Sequence, residues 1–465
     1  MLLTILGCHS SSAVPVDGQA GAGGTTGGSG GTLGAGGTLG SGGTGGAHTA
    51  PSFPLVIAPD GRSLVDRSGA PFLINGDTPW SLMVGLTDDE ATRYLDDRVE
   101  RGFNTILVNL IEHRFAKDPP QNVYGIAPFA TPEDIRTPDD VYFDRCVGIV
   151  EKARDRHLLV MMTPAYLGFG GGDEGWWQAL ASRTTSEVED YGMYLGSKFR
   201  GLANVVWVMG GDYWDPDVLT RTRSLVAGLK SGGRTDWLFT YHTGPNRSSS
   251  EVVGNEAWLD IDATYVYEDL VAELEQDYGR SPTRPFLLFE SRYEQEPDPP
   301  APRLELRSQA YWSVLTGGMG ALFGNNPIWN FENHALYAYD GTWESNLGSA
   351  GATDRTRFAE LFLARDWSEL EPDRSGTVLI GGRGSGSGSS YAAKSRDSTS
   401  VIVYTPLQRE LTIDMTELSG SNVDALWFAP QSGAYSTIGT FPNTGSRRFT
   451  PPGAGDWVLL LEAAP

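Results

Sequence analysis

The chain has 465 residues, 40% hydrophobic and 11% aromatic, so it can bury a large core and is not disordered throughout. Lys and Arg number 35 against 58 Asp and Glu, and the resulting net charge of −23 disfavours binding to nucleic acid phosphates or anionic lipid headgroups. Only two cysteines are present, which excludes a disulfide scaffold, and no run reaches the roughly 20 apolar residues of a membrane-spanning helix.

The N-terminal region predicts export. Residues 1–9 contain the sequence ILGC, which resembles the end of a bacterial lipoprotein signal, so Cys8 is a candidate lipid anchor; the alternative is an accidental apolar start. Residues 10–50 are nearly all Gly, Ser, Thr and Ala, and such a tract forms a flexible linker because it cannot build a core. We therefore expect a lipoprotein on the cell surface, or a secreted protein.

After Pro51 the sequence alternates short apolar runs with amphipathic helical stretches, which is typical of an α/β fold. In the first unit, Thr87 and Glu90 predict a capping box, and Gly102 marks the end of the helix. The buried stripe of this helix is predicted to be Ala91, Tyr94, Leu95 and Val99. A strand follows, as parallel pairing through a crossover helix requires.

Eight strand runs follow in this way. They read PFLING, FNTILVNL, HLLVMMTPAY, NVVWVMGGDYW, DWLFTYHTG, DIDATYVYED, RPFLLFESRYE and GALFGNNPIWNF. Eight strand–helix units over residues 51–376 predict a (β/α)8 TIM barrel. An open doubly wound sheet is the alternative, but the first strand–helix turn lacks the G-x-G-x-x-G that would support it.

Residues 377–465 have a different pattern. A Gly/Ser loop at residues 381–390 leads into seven short alternating runs separated by Gly, Pro, Asn and Asp. This pattern predicts a small antiparallel β-sandwich.

Candidate site residues follow the strand runs, where a barrel places its catalytic groups. Asp212 and Glu290 each come directly after a hydrophobic strand, so both are expected on rigid elements. Glycoside hydrolysis needs such a pair, with one carboxyl protonated to assist the leaving oxygen and the other ionised. Aromatic faces and amides at the same positions suit a sugar. The candidate substrate contacts are Asp77, Trp80, Asn109, His113, Tyr166, Tyr213, His242, Tyr267, Asn326 and Trp329.

Structural roles are the alternatives for these residues. Asp212 could cap a helix, Glu290 could pair with an arginine, and Asp77 could fasten the first strand–helix loop through backbone N–H groups. Trp80 could belong to the core. The sequence has no H-E-x-x-H and no close His/Cys quartet, and no G-x-S-x-G elbow follows any predicted strand, so it predicts neither a metal site, nor a cofactor, nor a serine hydrolase.

Five motifs carry a family resemblance: GDTPW, YLDDRVERGFN, VMGGDYW, FESRYE and GNNPIWNF. They resemble the apiosidase-like (β/α)8 family, once called domain of unknown function 4038, from about Phe53 to Asp373. The resemblance implies an enzyme similar to glycoside hydrolase family 140, whose members remove apiose from plant pectin, with Asp212 as acid/base and Glu290 as nucleophile. The tail from about Thr377 resembles the sandwich that often follows such barrels and is named a collagen-binding domain.

The resulting hypothesis is an exported, retaining glycoside hydrolase acting on a plant or microbial polysaccharide or oligosaccharide. Retention predicts carboxyl groups about 5–5.5 Å apart, whereas about 6.5–9.5 Å would indicate inversion. The alternative is a surface-tethered module without activity that binds carbohydrate or protein. The two intact carboxylates argue against that alternative.

Overall fold

The computed structural model describes residues 50–296, 299–332 and 338–464. The predicted lipoprotein signal with Cys8, and the glycine-rich linker up to residue 49, lie outside the described residues. In the described ranges, no helix is both long enough and apolar enough to cross a membrane. Residues 47–465 belong to one compact unit.

Eight parallel strands curl into the predicted barrel, one for each predicted run. They are β1 (Ile74–Asp77), β2 (Thr105–Asn109), β3 (Leu159–Thr163), β4 (Val205–Gly210), β5 (Leu238–His242), β6 (Asp262–Tyr265), β7 (Phe286–Glu290) and β8 (Gly320–Asn325). Hydrogen-bonded neighbours run in the order β5–β4–β3–β2–β1–β8–β7–β6. The α/β barrel prediction is confirmed. We call the C-terminal ends of these strands the barrel mouth.

Backbone and side-chain hydrogen bonds together close the barrel between β5 and β6, where the Phe239 carbonyl accepts from the N–H groups of Asp260 and Ile261 at 3.0 and 3.1 Å. Ser249 donates its hydroxyl to the Tyr241 carbonyl at 2.6 Å and accepts from the Ala263 N–H at 3.0 Å. The Thr240 hydroxyl donates to the Ile261 carbonyl at 2.8 Å. These bonds satisfy backbone groups that the neighbouring strand would otherwise pair.

A helix follows each strand. These are α1 (Asp88–Glu100), α2 (Asp140–Asp155), α3 (Thr185–Phe199), α4 (Pro216–Gly232), α5 (Ser249–Val253), α6 (Leu270–Tyr278), α7 (Arg303–Leu315) and α8 (Ala350–Leu363). The capping box of Thr87 and Glu90 on α1 is confirmed. The stripe prediction is wrong at Val99, which is 40% exposed, because Arg98 takes the inward place.

Shorter elements connect these units. Four-residue or five-residue helices span Leu82–Gly85, Trp177–Ala181, Asn326–Trp329 and Trp343–Asn346. Single 3-10 turns span Phe169–Gly171, Trp367–Glu369, Gly386–Gly388 and Met415–Glu417. Two-residue strands are Val56–Ile57, Leu64–Val65, Arg247–Ser248 and Tyr293–Glu294.

The two-residue period of the strands decides which side chains face the mouth. Leu107 and Met161 belong to the core inside the barrel, whereas Val108 and Met162 pack toward the helices. Since alternate residues share a face, Asn109 on β2 and Thr163 on β3 point inward at the mouth. Asp77, in contrast, is on the outward face of β1, toward α1.

The C-terminal region is the predicted antiparallel sandwich. Its strands are β9 (Leu370–Pro372), β10 (Leu379–Gly381), β11 (Tyr391–Ser395), β12 (Ser400–Thr405), β13 (Leu411–Asp414), β14 (Asn422–Ala429), β15 (Ala434–Pro442), β16 (Ser446–Phe449) and β17 (Trp457–Ala463). A six-stranded sheet, β9–β11–β12–β17–β14–β15, faces a three-stranded sheet, β10–β13–β16. Their shared core is apolar.

Helix α7 joins the barrel to the sandwich. The Tyr311 ring on α7 stacks on Tyr404 of β12, with centroids 4.7 Å apart and planes 7° from parallel. Trp312 donates its indole N–H to the Ser389 carbonyl at 3.0 Å. Aromatic contact and hydrogen bonding therefore fix the sandwich against the barrel.

Candidate active site

Two carboxylates lie at the barrel mouth. Glu290 is the last residue of β7, and Asp212 lies two residues past the end of β4. Gly210, Gly211 and Asp212 have positive φ angles of 83°, 129° and 51°. A Cβ on Gly211 would collide with the Tyr166 ring at 2.5 Å. The two glycines therefore permit a close turn that brings Asp212 against the end of β3.

The imidazole of His242, the last residue of β5, lies between the two carboxylates. Its Nε2 is 3.0 Å from Glu290 Oε2 and 3.8 Å from Asp212 Oδ1, so these two oxygens are no further apart than the sum of the two distances. Neither contact is aligned as a hydrogen bond, and within the described residues both oxygens are buried without a hydrogen-bond partner. Such atoms are expected where a substrate completes the bonding.

Aromatic side chains surround His242. The Trp80 ring stacks on it at 5.5 Å and 24°, and the rings of Phe289 and Tyr265 lie 5.0 and 5.3 Å away. Trp80 donates its indole N–H to the Tyr293 hydroxyl at 3.1 Å. Aromatic rings, together with the hydroxyl groups of Tyr265 and Tyr293, therefore line the site beside the carboxylates.

Burial raises the pKa of Asp212 to about 6, against the opposing charge of His242, and the charge of Glu290 adds to the rise. A hydrogen bond of 2.7 Å from the Tyr166 hydroxyl to Oδ2 acts in the lowering direction. Asp212 can thus carry a proton in weakly acidic solution, as a general acid requires.

The pKa of His242 is also raised. Burial alone would lower this pKa, because an imidazolium ion is poorly solvated in the core, but the charges of Asp212 and Glu290 reverse the effect. A cationic His242 would stabilise negative charge on both carboxylates. The three groups therefore titrate as one coupled set.

Asp77 is fully buried away from the carboxylate pair. Its Oδ2 accepts from Arg98 at 2.9 Å and from Tyr94 at 2.7 Å, and its Oδ1 accepts from the Thr78 N–H at 3.0 Å. These contacts match the structural alternative, in which Asp77 fastens the first strand–helix loop. They leave no role for Asp77 as a substrate contact.

The side chains of His113 and Tyr213 contact residues other than the two carboxylates. His113 is 3.4 Å from Glu133 and packs edge-on against Trp176 at 4.8 Å. The Tyr213 hydroxyl donates to Asp215, whose other oxygen caps α4. Substrate contact by His113 and Tyr213 stays a prediction.

Tyr267 and Trp329 lie closer to the centre. The Tyr267 hydroxyl is 3.3 Å from that of Tyr265, and burial, followed by the charge of Glu290, raises the pKa of Tyr267. Trp329 donates its indole N–H to Asn326 at 2.9 Å. Its ring lies 5.1 Å from that of Phe115, which in turn lies 6.3 Å from Tyr166.

The structure adds Tyr265, Tyr293, Thr163 and Glu112 to the predicted residues. The inward face of β3 and β6 could have indicated Thr163 and Tyr265. Glu112 lies in a loop three residues past the end of β2, so only its place after a strand could have indicated it. Burial raises its pKa to about 7, although hydrogen bonds from Asn109, Ser81 and the backbone oppose the rise.

Three or more His, Cys, Asp or Glu side chains arranged to hold a metal ion do not occur among the described residues. The carboxyl groups of Asp212 and Glu290 can serve as acid, base or nucleophile. The centre of the site comprises five predicted residues: Trp80, Tyr166, Asp212, His242 and Glu290.

Comparison with known proteins gives two family matches. Residues 58–369 match the model described as "Apiosidase-like, catalytic domain", and residues 372–462 match the model described as "Putative collagen-binding domain of a collagenase". A solved structure titled "Glycoside hydrolase" is 23% identical, with a TM-score of 0.78, covering 89% of this chain and 97% of the other. A family 5 glycoside hydrolase from Bacteroides vulgatus ATCC 8482 is also 23% identical, with a TM-score of 0.78 and coverage of 88% and 93%. No curated protein matches this chain.

Proposed function

Since this chain belongs to the apiosidase-like catalytic domain family, we propose that it hydrolyses glycosidic bonds, with Asp212 as acid/base and Glu290 as nucleophile. The observation that carries the proposal is the carboxylate pair at the barrel mouth. One nitrogen of His242 lies 3.0 Å from Glu290 and 3.8 Å from Asp212, so both acids can reach one bond of a bound sugar.

In the first step, a Glu290 oxygen attacks the anomeric carbon while the Asp212 proton passes to the departing oxygen. The glycosidic C–O bond breaks, and a glycosyl ester on Glu290 forms. In the second step, Asp212 takes a proton from water, and the resulting hydroxide attacks the same carbon and releases Glu290. Two inversions at that carbon give a product with retained configuration.

Two observations support this assignment of roles. The pKa of Asp212 is raised to about 6, which suits a group that must be protonated before it can donate. The spacing is compatible with retention, because the two contacts to His242 limit the separation of the nearest oxygens. That limit admits the separation of about 5–5.5 Å between the carboxyl groups of retaining enzymes.

A neutral sugar is the proposed substrate. Ring faces such as that of Trp80 pack against the C–H faces of sugars, while the hydroxyls of Tyr265 and Tyr293 can bind sugar oxygens. Family membership favours apiose or a related pentose in pectin side chains. We further propose that the enzyme is exported and held on the cell surface through Cys8, where such polysaccharides are met.

The test is hydrolysis by wild type and Glu290→Gln across apiosides, arabinofuranosides and pectic oligosaccharides, with the first-formed anomer followed by NMR. We expect the variant to lose at least about 10³-fold in kcat/KM and the product to retain its configuration. Glu268→Gln is the matched control, because Glu268 lies at the same end of the barrel but is exposed. Wild-type inactivity on the whole panel, with glycan binding retained, would replace the hydrolase with a binding module.

A further inference from the structure

A third carboxylate is buried at the barrel mouth, and the proposed reaction does not use it. Glu112 follows β2 by three residues and is 1% exposed. Its Oε1 accepts from the Ser81 hydroxyl and from Asn109 Nδ2, both at 2.9 Å. Glu112 therefore ties the loop after β1 to the end of β2.

The hydrogen bond to Glu112 fixes the orientation of the Asn109 side-chain amide. Because Nδ2 donates to Glu112, Oδ1 points away from it, and Oδ1 is buried with no hydrogen-bond partner in the described ranges. Asn109 is the register partner of Thr163 on β3, and Thr163 Oγ1 is also buried without a partner there. Two unsatisfied polar atoms thus lie on neighbouring strands, both on the inward face.

Unsatisfied buried atoms destabilise a fold, so two of them side by side indicate a ligand that completes their bonding. Asp212 Oδ1 and Glu290 Oε2, the proposed reacting atoms, are likewise buried without a hydrogen-bond partner in the described ranges. A sugar hydroxyl matches the pair, because it can donate to Asn109 Oδ1 and accept from the Thr163 hydroxyl. A carboxylate does not match, because it has no proton to give to Oδ1.

We propose that Asn109 and Thr163 bind one hydroxyl group of the sugar, and that Glu112 is the positioning residue that keeps the Asn109 carbonyl turned toward it. The inference rests on the proposed glycosidase function and extends it to a subsite. Glu112 does not touch the substrate; it acts by preventing rotation of the Asn109 amide. Without the acceptor at Oε1, the amide could present its NH2 group to the sugar.

The experiment measures kcat and KM for the glycoside that wild type hydrolyses fastest in the panel. Glu112→Met, Asn109→Ala and Thr163→Val are each expected to lower kcat/KM about 10- to 100-fold. Since Glu112 acts through Asn109, the double variant Glu112→Met/Asn109→Ala should be no slower than Asn109→Ala. Glu112→Gln should keep a kcat/KM close to the wild-type value, unlike Glu112→Met, because its amide oxygen can replace Oε1 as the hydrogen-bond acceptor.

Glu273→Met is the matched control. Burial also raises the pKa of Glu273 to about 7, but its partner is Arg280, near the C-terminal end of α6, so kcat/KM should not change. Additive losses in the double variant, or an unchanged Glu112→Met, would overturn the positioning role. If Glu112→Met does not fold, an unchanged Thr163→Val overturns the subsite. Wild-type inactivity defeats the proposed function, whereas an active wild type with unaffected variants defeats this inference alone.

Discussion

The barrel mouth and the interface between barrel and sandwich both bury charged groups, but the two proposed reacting carboxylates at the mouth are less completely hydrogen-bonded than the charges at the interface. At the interface, Arg307 forms two bonds to Asp456, at 2.8 and 2.7 Å, and one to Asp354 at 3.1 Å. At the mouth, Asp212 and Glu290 each keep a buried oxygen without a hydrogen-bond partner among the described residues.

This difference separates charges that hold the fold from charges kept for chemistry. Removing one partner of a satisfied network leaves an uncompensated charge and destabilises the protein. Removing an unsatisfied carboxylate takes away a group whose burial already opposes folding. Substitutions at the mouth should therefore change activity more than stability, and substitutions at the interface should do the reverse.

Among the substitutions that test this contrast between mouth and interface, Asp212→Asn is expected to have the largest effect. The amide cannot donate an acidic proton, so kcat/KM should fall by about 10²- to 10⁴-fold. The free energy of unfolding at pH 7 should not fall, because burial disfavours the carboxylate that is removed. Steady-state kinetics and urea unfolding measure the two quantities. Asp217→Asn, an exposed residue on the first turn of α4, is the control. If Asp212→Asn destabilises the protein enough to explain its loss of activity, the claim that substitutions at the mouth change activity more than stability is wrong.

Arg307→Met tests the converse expectation for the interface, a loss of stability without a loss of activity. Asp456 and Asp354 would lose their shared partner, and the free energy of unfolding should fall by about 3–5 kcal/mol. The kcat of the folded fraction should stay at the wild-type value. Arg396→Met is the control: Arg396 also has several acidic partners but is 37% exposed, so its loss should cost within about 1 kcal/mol. Equal losses in both variants would contradict the role of burial.

The pH dependence of stability should sharpen the contrast at Glu112. Its pKa is raised from 4.5 to about 7 in the folded state, so the folded protein binds its proton more tightly than the unfolded chain. The stabilisation is complete below the unfolded value and is lost as pH rises through about 7. Glu112→Gln removes this titration. Relative to wild type, its unfolding free energy should gain about 3 kcal/mol between pH 4.5 and 7.5. Parallel curves in urea unfolding would show that Glu112 does not titrate in this way.

The smallest effect is expected for Tyr166→Phe. The Tyr166 hydroxyl bonds to the carboxylate form of Asp212 and lowers its pKa, so removing it should raise that pKa. Because Asp212 must be protonated to act as an acid, the alkaline limb of the kcat/KM profile should move to higher pH, by up to about 1 unit. A limb that stays in place would assign the titration to another group.

The first helix illustrates how far the sequence predicts the fold. Thr87 and Glu90 form the predicted capping box, and Gly102 has the positive φ, 79°, of a helix end. The sequence could not predict that Arg98, and not Val99, lies on the buried face of the helix. An arginine side chain is buried only where another group pairs with its charge. That partner, Asp77, lies on β1, and only the packing of α1 on the sheet brings the two together.

The site shows the same division. Asp212 and Glu290 were predictable because each directly follows an apolar strand, and the eight strand–helix units fix which end of the barrel they occupy. The local sequence determines which side chains alternate between the two faces of a strand and which residues cap a helix, since both depend on neighbours in the chain. The tertiary structure alone decided that His242 lies between the two acids, that Asp77 turns outward to Arg98, and that Glu112 is buried against Asn109. Those outcomes depend on distances between segments far apart in sequence, and burial, which sets the pKa values, arises only when the segments pack together.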